Sequence, residues 1–158
     1  MKIYLAGSCG SDRRTHMAHI GMALRNAGYD VYCPFELQIP DAWSMSQEAW
    51  AQKVFEEDIK AIDAADIVVF MSPGRESTAG TNWEQGYAYA KGKRCIVFQY
   101  TNKPTSLMSY CGCSSFYSLS EVVTAAPADC ASYVSFLVKT FINSLSSQNY
   151  KFTSTILT

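Results

Sequence analysis

Short apolar runs and longer amphipathic stretches follow one another along the chain, and the two periods predict strands and helices in alternation. The run KIYLA (2–6) reads as a strand that stops at Gly7. After the polar loop GSCGSD, with Ser11 or Asp12 as N-cap, RRTHMAHIGMALRNAG reads as a helix closed by Gly28. DVYCP (30–34) is the second predicted strand, and an irregular stretch follows to about Trp43. Ser44-x-x-Gln47 fits a capping box that opens a long helix to Ala65. DIVVFM (66–71) is apolar without alternation, the pattern of a strand covered on both faces. A polar glycine loop then leads to a short helix opening on Thr81, followed by the strand RCIVFQY (94–100). A short strand near Phe116 and Tyr117 and a terminal helix from about Asp129 to Ser146 complete the series.

Strands alternating with helices imply right-handed crossovers and an α/β fold, a doubly wound parallel sheet with helices on both faces. No internal repeat or linker interrupts the pattern, so residues 1–147 read as one domain and 148–158 as a C-terminal tail. In such sheets ligands bind beyond the carboxyl ends of the strands. Three loops meet there, 7–13, 34–43 and 72–81, which makes Gly7, Ser8 and Gly80 substrate-binding candidates by position. The first loop, AGSCGSD, reads either as an anion cradle at a helix N-terminus or as a tight turn of small residues.

Composition narrows the partners. The chain has 158 residues, 48% hydrophobic and 17% charged, with a net charge of −1 and thirteen scattered Lys and Arg. That length suits a single domain with a substantial core, and the charge pattern argues against nucleic-acid binding. No apolar run is long enough to span a membrane or to serve as a signal sequence, so the expectation is a cytoplasmic protein without a membrane partner. The six cysteines fit that compartment: Cys33 and Cys95 lie in strand-like runs where a free thiol acts as a small hydrophobe. Cys111-Gly-Cys113 lacks a second pair at ligand spacing, and His16 and His19 lack a third ligand, so neither a metal nor another cofactor is expected.

Two carboxylates stand out. Glu84 reads either as the partner of Thr81 in a capping box or as a nucleophile at the carboxyl edge of the sheet. On the long helix, Trp50, Val54, Ile62 and Ala65 share one side, with Phe55 and Ile59 extending it, and Asp58 falls inside this apolar arc. An inward carboxylate must be paired or hydrogen-bonded. Asp58 therefore either caps a neighbouring loop or joins Glu84 in one crevice, where two carboxyls could divide the roles of nucleophile and proton handler in glycosyl transfer.

The blocks KIYLAGS, YCPFELQ, W-x7-DIKAIDAADI, AGTNWEQGYAYAKGK and KPTSLMSY, in this order over residues 2–110, resemble the nucleoside 2-deoxyribosyltransferase family. The resemblance implies a flavodoxin-like fold and base exchange on 2'-deoxynucleosides by double displacement, with no cofactor. It implies that Glu84 attacks C1' and that Tyr4 orients it. Asp58 would handle the base and its proton, and Gln38 would contact the base. Ser106 to Met108 would be lent to the active site of a neighbouring subunit in a homo-oligomer. The partners implied are a nucleoside or nucleotide and a free base.

Two positions depart from the family pattern. Thr78 stands where an Asp usually holds the sugar hydroxyls, and Ser106 where an Asn usually precedes Leu-Met. Hydroxyls at both places resemble the related 2'-deoxynucleoside 5'-monophosphate N-glycosidases, in which they help to cradle phosphate. Gln38 is transferase-like, and no arginine cluster stands out beyond Arg13, Arg14 and Arg75. Hydrolysis of 5'-monophosphates is thus the alternative activity, and a non-enzymatic nucleotide-binding module the alternative of another class.

Overall fold

The computed structural model describes residues 1–7 and 11–118, together with 139, 142 and 143. Its strands are β1 (Lys2–Gly7), β2 (Asp30–Tyr32), β3 (Ile67–Ser72), β4 (Arg94–Gln99) and β5 (Ser115–Ser118). Its helices are α1 (Ser11–Asn26), α2 (Gln47–Ala64), α3 (Ala79–Ala90) and α4 (Leu107–Cys111). All four strand pairings are parallel, as the chain pattern implies, and the spatial order is β2-β1-β3-β4-β5, the flavodoxin-like arrangement that the family resemblance implies.

Two cores sandwich the sheet. Ile3, Leu5, Val69 and Phe98 pack with Met17, Ile20 and Leu24 of α1 on one face. Tyr4, Ala6, Phe70 and Val97 pack with Ile62 of α2 and Ala88 of α3 on the other. Every residue of β3 is buried, as its unbroken apolar run requires for a strand covered on both faces. Cys33 and Cys95 are buried within these cores as expected.

Element limits move where local chemistry competes. β2 ends at Tyr32 rather than residue 34, because Pro34 brings no N–H to a ladder and opens a 3-10 turn, Pro34–Glu36. Helix α1 already contains Ser11 and Asp12, so neither is its N-cap. Ser46, not Ser44, caps α2, its hydroxyl accepting from the Ala49 N–H at 3.1 Å, while Ser44 closes a separate 3-10 turn. The apolar arc of α2 is only partly inward: Ile62 is buried, but Trp50 and Phe55 remain exposed. Of the predicted terminal helix only 139, 142 and 143 are described, and they are helical; the predicted tail lies outside the described residues.

Gly28 and Gly74 both have left-handed backbones, with φ of 90° and 81°, but in different surroundings. A Cβ on Gly28 would meet nothing within 4 Å, whereas one on Gly74 would stand 2.8 Å from the Pro104 carbonyl oxygen. Gly28→Ala should therefore cost about 1 kcal/mol in urea unfolding, and Gly74→Ala roughly 3 kcal/mol, because conformational strain and a displaced backbone add. Equal losses would contradict this account of the 74–104 contact.

Candidate active site

The site starts from sheet register. Parallel pairing sets Tyr4 of β1 opposite Tyr32 of β2. Both side chains lie on the α2–α3 face, their rings stacked with centroids 5.5 Å apart at 18°. Each hydroxyl holds one carboxylate. Tyr4 donates to Glu84 Oε1 at 3.0 Å, and Tyr32 donates to Asp58 Oδ1 at 2.8 Å. Two residues distant in sequence are thereby brought onto one side of the sheet, one from each covering helix.

Helix α3 is placed to deliver Glu84. It begins at Ala79, and its N-cap is Thr78, whose Oγ1 accepts from the Thr81 N–H at 3.3 Å and lies 2.9 Å from Thr81 Oγ1. The capping box from Thr81 to Glu84 is therefore overturned: the helix starts three residues earlier than that box requires, and the Glu84 carboxylate turns to Tyr4. The next residue, Gln85, is buried and donates through Nε2 to the Ser109 carbonyl at 2.8 Å, which joins α3 to α4.

Burial dominates the electrostatics of both acids. It pushes the Glu84 carboxyl up to about 7; the Tyr4 hydrogen bond opposes the rise and the nearby Asp58 charge adds to it. Burial also raises Asp58, against the Tyr32 hydrogen bond and with the Glu57 charge. The phenols of Tyr4 and Tyr32 are raised as well, first by burial, so both remain donors over the whole working range of pH. The Glu84 carboxyl therefore exchanges its proton near neutrality, next to a second carboxyl that burial also raises.

A second network fixes the rim. The Gln99 amide, buried at the end of β4, donates to the carbonyls of Thr101 and Lys103 at 3.1 and 2.8 Å and accepts from Thr105 Oγ1 at 2.8 Å. Thr101 Oγ1 donates to the Pro73 carbonyl at 2.9 Å, and the Arg75 N–H to the Pro104 carbonyl at 2.9 Å. The loop leading to Thr78 is thus laced to the loop leading to Ser106.

The other predicted residues are placed less closely. Gly7 ends β1, where a Cβ would stand 2.8 Å from Sδ of the flexible Met17 side chain on α1. Ser8 lies outside the described residues. Gly80 is exposed in the first turn of α3, and Gln38 is exposed in the connection after the Pro34–Glu36 turn. Ser106 is the N-cap residue of α4 but makes no side-chain cap bond, and Met108 is 82% exposed. Among the described residues no cluster of three His, Cys, Asp or Glu could hold a metal, and no helix is long and apolar enough to cross a membrane. Tyr32 was missed by sequence reasoning. Its only signal is that it pairs with Tyr4, which requires the strand register.

Residues 3–139 match the family model for nucleoside 2-deoxyribosyltransferase. The chain belongs to that family. Family membership makes it an enzyme of nucleoside chemistry. Among solved structures it is similar to a 2-deoxyribosyltransferase of Bacillus psychrosaccharolyticus, at 29% identity and a TM-score of 0.67, over 84% of this chain and 96% of that one. A CMP N-glycosidase of Clostridium botulinum has the same fold at 18% identity and a TM-score of 0.57, over 89% and 99% of the two chains. So does a conserved protein of Enterococcus faecalis, at 20% identity and 0.55, over 89% and 87%. No curated protein sequence matches.

The raised Glu84 carboxyl has a consequence for stability. In the unfolded chain it ionises near its ordinary 4.5, in the folded protein at about 7. Between those values the folded state holds the extra proton, so stability falls as pH rises through the window and the loss is complete above it. Glu84→Gln should gain about 2–3 kcal/mol over wild type between pH 4 and pH 8. Urea midpoints at pH 4, 6 and 8 check this, and a pH-independent difference contradicts it.

Proposed function

We propose that this enzyme breaks the N-glycosidic bond of 2'-deoxynucleosides through a covalent deoxyribosyl-Glu84 intermediate and passes the sugar to a second base. The observation that carries the reading is the pair of tyrosine-held carboxylates, Tyr4–Glu84 and Tyr32–Asp58, on one side of the sheet. Glu84 attacks C1' as the C1'–N bond breaks, and the base leaves with a proton delivered by Asp58. The incoming base then attacks C1' and returns its proton to Asp58, which restores both carboxyls. Water taking the place of that base gives hydrolysis instead. The absence of a 2'-hydroxyl eases the build-up of positive charge on the sugar and favours 2'-deoxy substrates.

In the free protein burial favours the protonated form of Glu84 below about pH 7, whereas attack needs Glu84 ionised and a proton on Asp58. A base seated over Asp58 excludes water there and raises that carboxyl further, while the Tyr4 hydroxyl favours the ionised form of Glu84. Binding thus prepares the reactive protonation state. The exposed Leu107 and Met108, 60% and 82% accessible, together with half-exposed Phe55 and Trp83 in mutual contact, supply the apolar surface for a homo-oligomer in which α4 completes a neighbour's site.

Thr78 supports a second reading, hydrolysis of 2'-deoxynucleoside 5'-monophosphates. A carboxylate at this position would repel a phosphate, whereas Thr78 is neutral at the N-terminus of α3. Asp is as good an N-cap as Thr, so Thr78→Asp alters charge without opening the helix. It should depress kcat/KM on monophosphates much more than on nucleosides; improved nucleoside turnover with monophosphate turnover unharmed would exclude the phosphate reading.

Chromatography of deoxynucleosides and deoxynucleoside monophosphates incubated with the protein, with and without an acceptor base, separates transfer from hydrolysis. Glu84→Ala should abolish base release, and Asp58→Asn should lower turnover by roughly 10²–10⁴, most for poor leaving groups. A fully active Glu84→Ala protein would overturn the assignment.

A further inference from the structure

The Tyr32–Asp58 bond has no counterpart in the roles inferred above from the family. Tyr32 Oη donates to one carboxylate oxygen, Oδ1, at 2.8 Å. Its ring is fixed from two sides, by stacking on buried Tyr4 and by packing against the core that contains Ile62 of α2. A donor of this kind occupies Oδ1 and leaves Oδ2 as the carboxyl oxygen that carries a transferable proton. We propose that Tyr32 is a positioning residue for the base-leaving step: its hydroxyl locks the Asp58 carboxyl so that the proton passed to and from the nucleobase sits on Oδ2. This rests on the glycosyl-transfer reading and deepens it, since the lock matters only for substrates whose base must be protonated to leave.

The proton balance is simple. Protonated Asp58 gives its Oδ2 proton to the base as the C1'–N electron pair moves onto nitrogen, and ionised Asp58 remains with Tyr32 still donating to Oδ1. The reverse transfer restores the acid when the second base attacks. The phenol keeps its own proton throughout, because burial and the Asp58 hydrogen bond both raise it. The titratable groups around Asp58 are Tyr4 from β1, Tyr32 from β2, Glu57 beside it on α2 and Glu84 from α3. Of these, the Tyr32 hydroxyl is the group that lowers Asp58, against burial and the Glu57 charge.

Tyr32→Phe keeps the ring and its stacking on Tyr4 and removes only the donor. Two measurements test the proposal. Carbon-detected NMR titration of the aspartate carboxyls should show Asp58 titrating at higher pH in the variant than in wild type. Kinetics should show kcat for ordinary deoxynucleosides falling by about 10²-fold, the scale of a misplaced reacting group, with KM nearly unchanged. The alkaline limb of kcat/KM should move upward, because the acid stays protonated longer. With 7-methyl-2'-deoxyguanosine, whose base leaves as a neutral molecule without protonation, the variant should match wild type. An unmoved Asp58 titration with unchanged kinetics makes the bond merely structural and overturns the proposal. Equal losses on both substrates also overturn it, because Tyr32 would then act on the sugar or the fold. If wild type releases base from neither substrate, the glycosyl-transfer reading itself falls and the role of Tyr32 with it; failure confined to the comparison of variants removes Tyr32 alone.

Discussion

The hydrogen bond from Tyr4 to Glu84 connects the middle of the first strand to a helix eighty residues later. Tyr4 is fully buried, so its hydroxyl must find a partner inside the protein, and an unmet buried donor would cost about 1–3 kcal/mol. That requirement constrains α3. The Thr78 cap fixes where the helix begins, buried Thr81 and Ala88 fix the face it presents, and Gln85 anchors it to α4. With those constraints met, the Glu84 carboxylate meets the Tyr4 hydroxyl on the side of the sheet where Tyr32 holds Asp58.

The two acids are alike in type and unlike in setting. Both are raised by burial, but Glu84 reaches about 7 and each is bonded by its own tyrosine from a different strand. Two carboxyls held by different partners can divide nucleophilic and proton-handling work in one pocket. The rim is built by a different device. Gln99 holds the 101–105 loop through its carbonyls, and the Thr101 hydroxyl and the Arg75 N–H bond across to the carbonyls of Pro73 and Pro104, so the loops that lead to Thr78 and to Ser106 are tied together.

Much of this was legible in the chain. The runs in β1, β3 and β4 are apolar enough that their extents were readable to within a residue or two, and their alternation with helices implied the parallel sheet. Caps were less legible. Ser44 and Thr81 each stand three residues before a Gln or Glu, yet the caps are Ser46 and Thr78, because a hydroxyl and a receptive N–H three residues on are common in any polar stretch. The inward position of Asp58 was visible from helical period, while the exposure of Trp50 and Phe55 on the same arc was not, since period cannot say how far a covering helix overhangs its sheet. Tyr32 was invisible for a sharper reason: its partner Asp58 lies 26 residues away, and only register places it beside Tyr4.

The central claim is that Glu84 forms a bond to the sugar. Rapid acid quenching of wild-type protein with a deoxynucleoside, followed by digestion and peptide mass spectrometry, reads that bond directly. The account predicts a deoxyribosyl mass increment on the peptide containing Glu84, located to that side chain by fragmentation and lost on addition of an acceptor base. Base release at full rate with no such increment, or an increment located on Asp58, would contradict it.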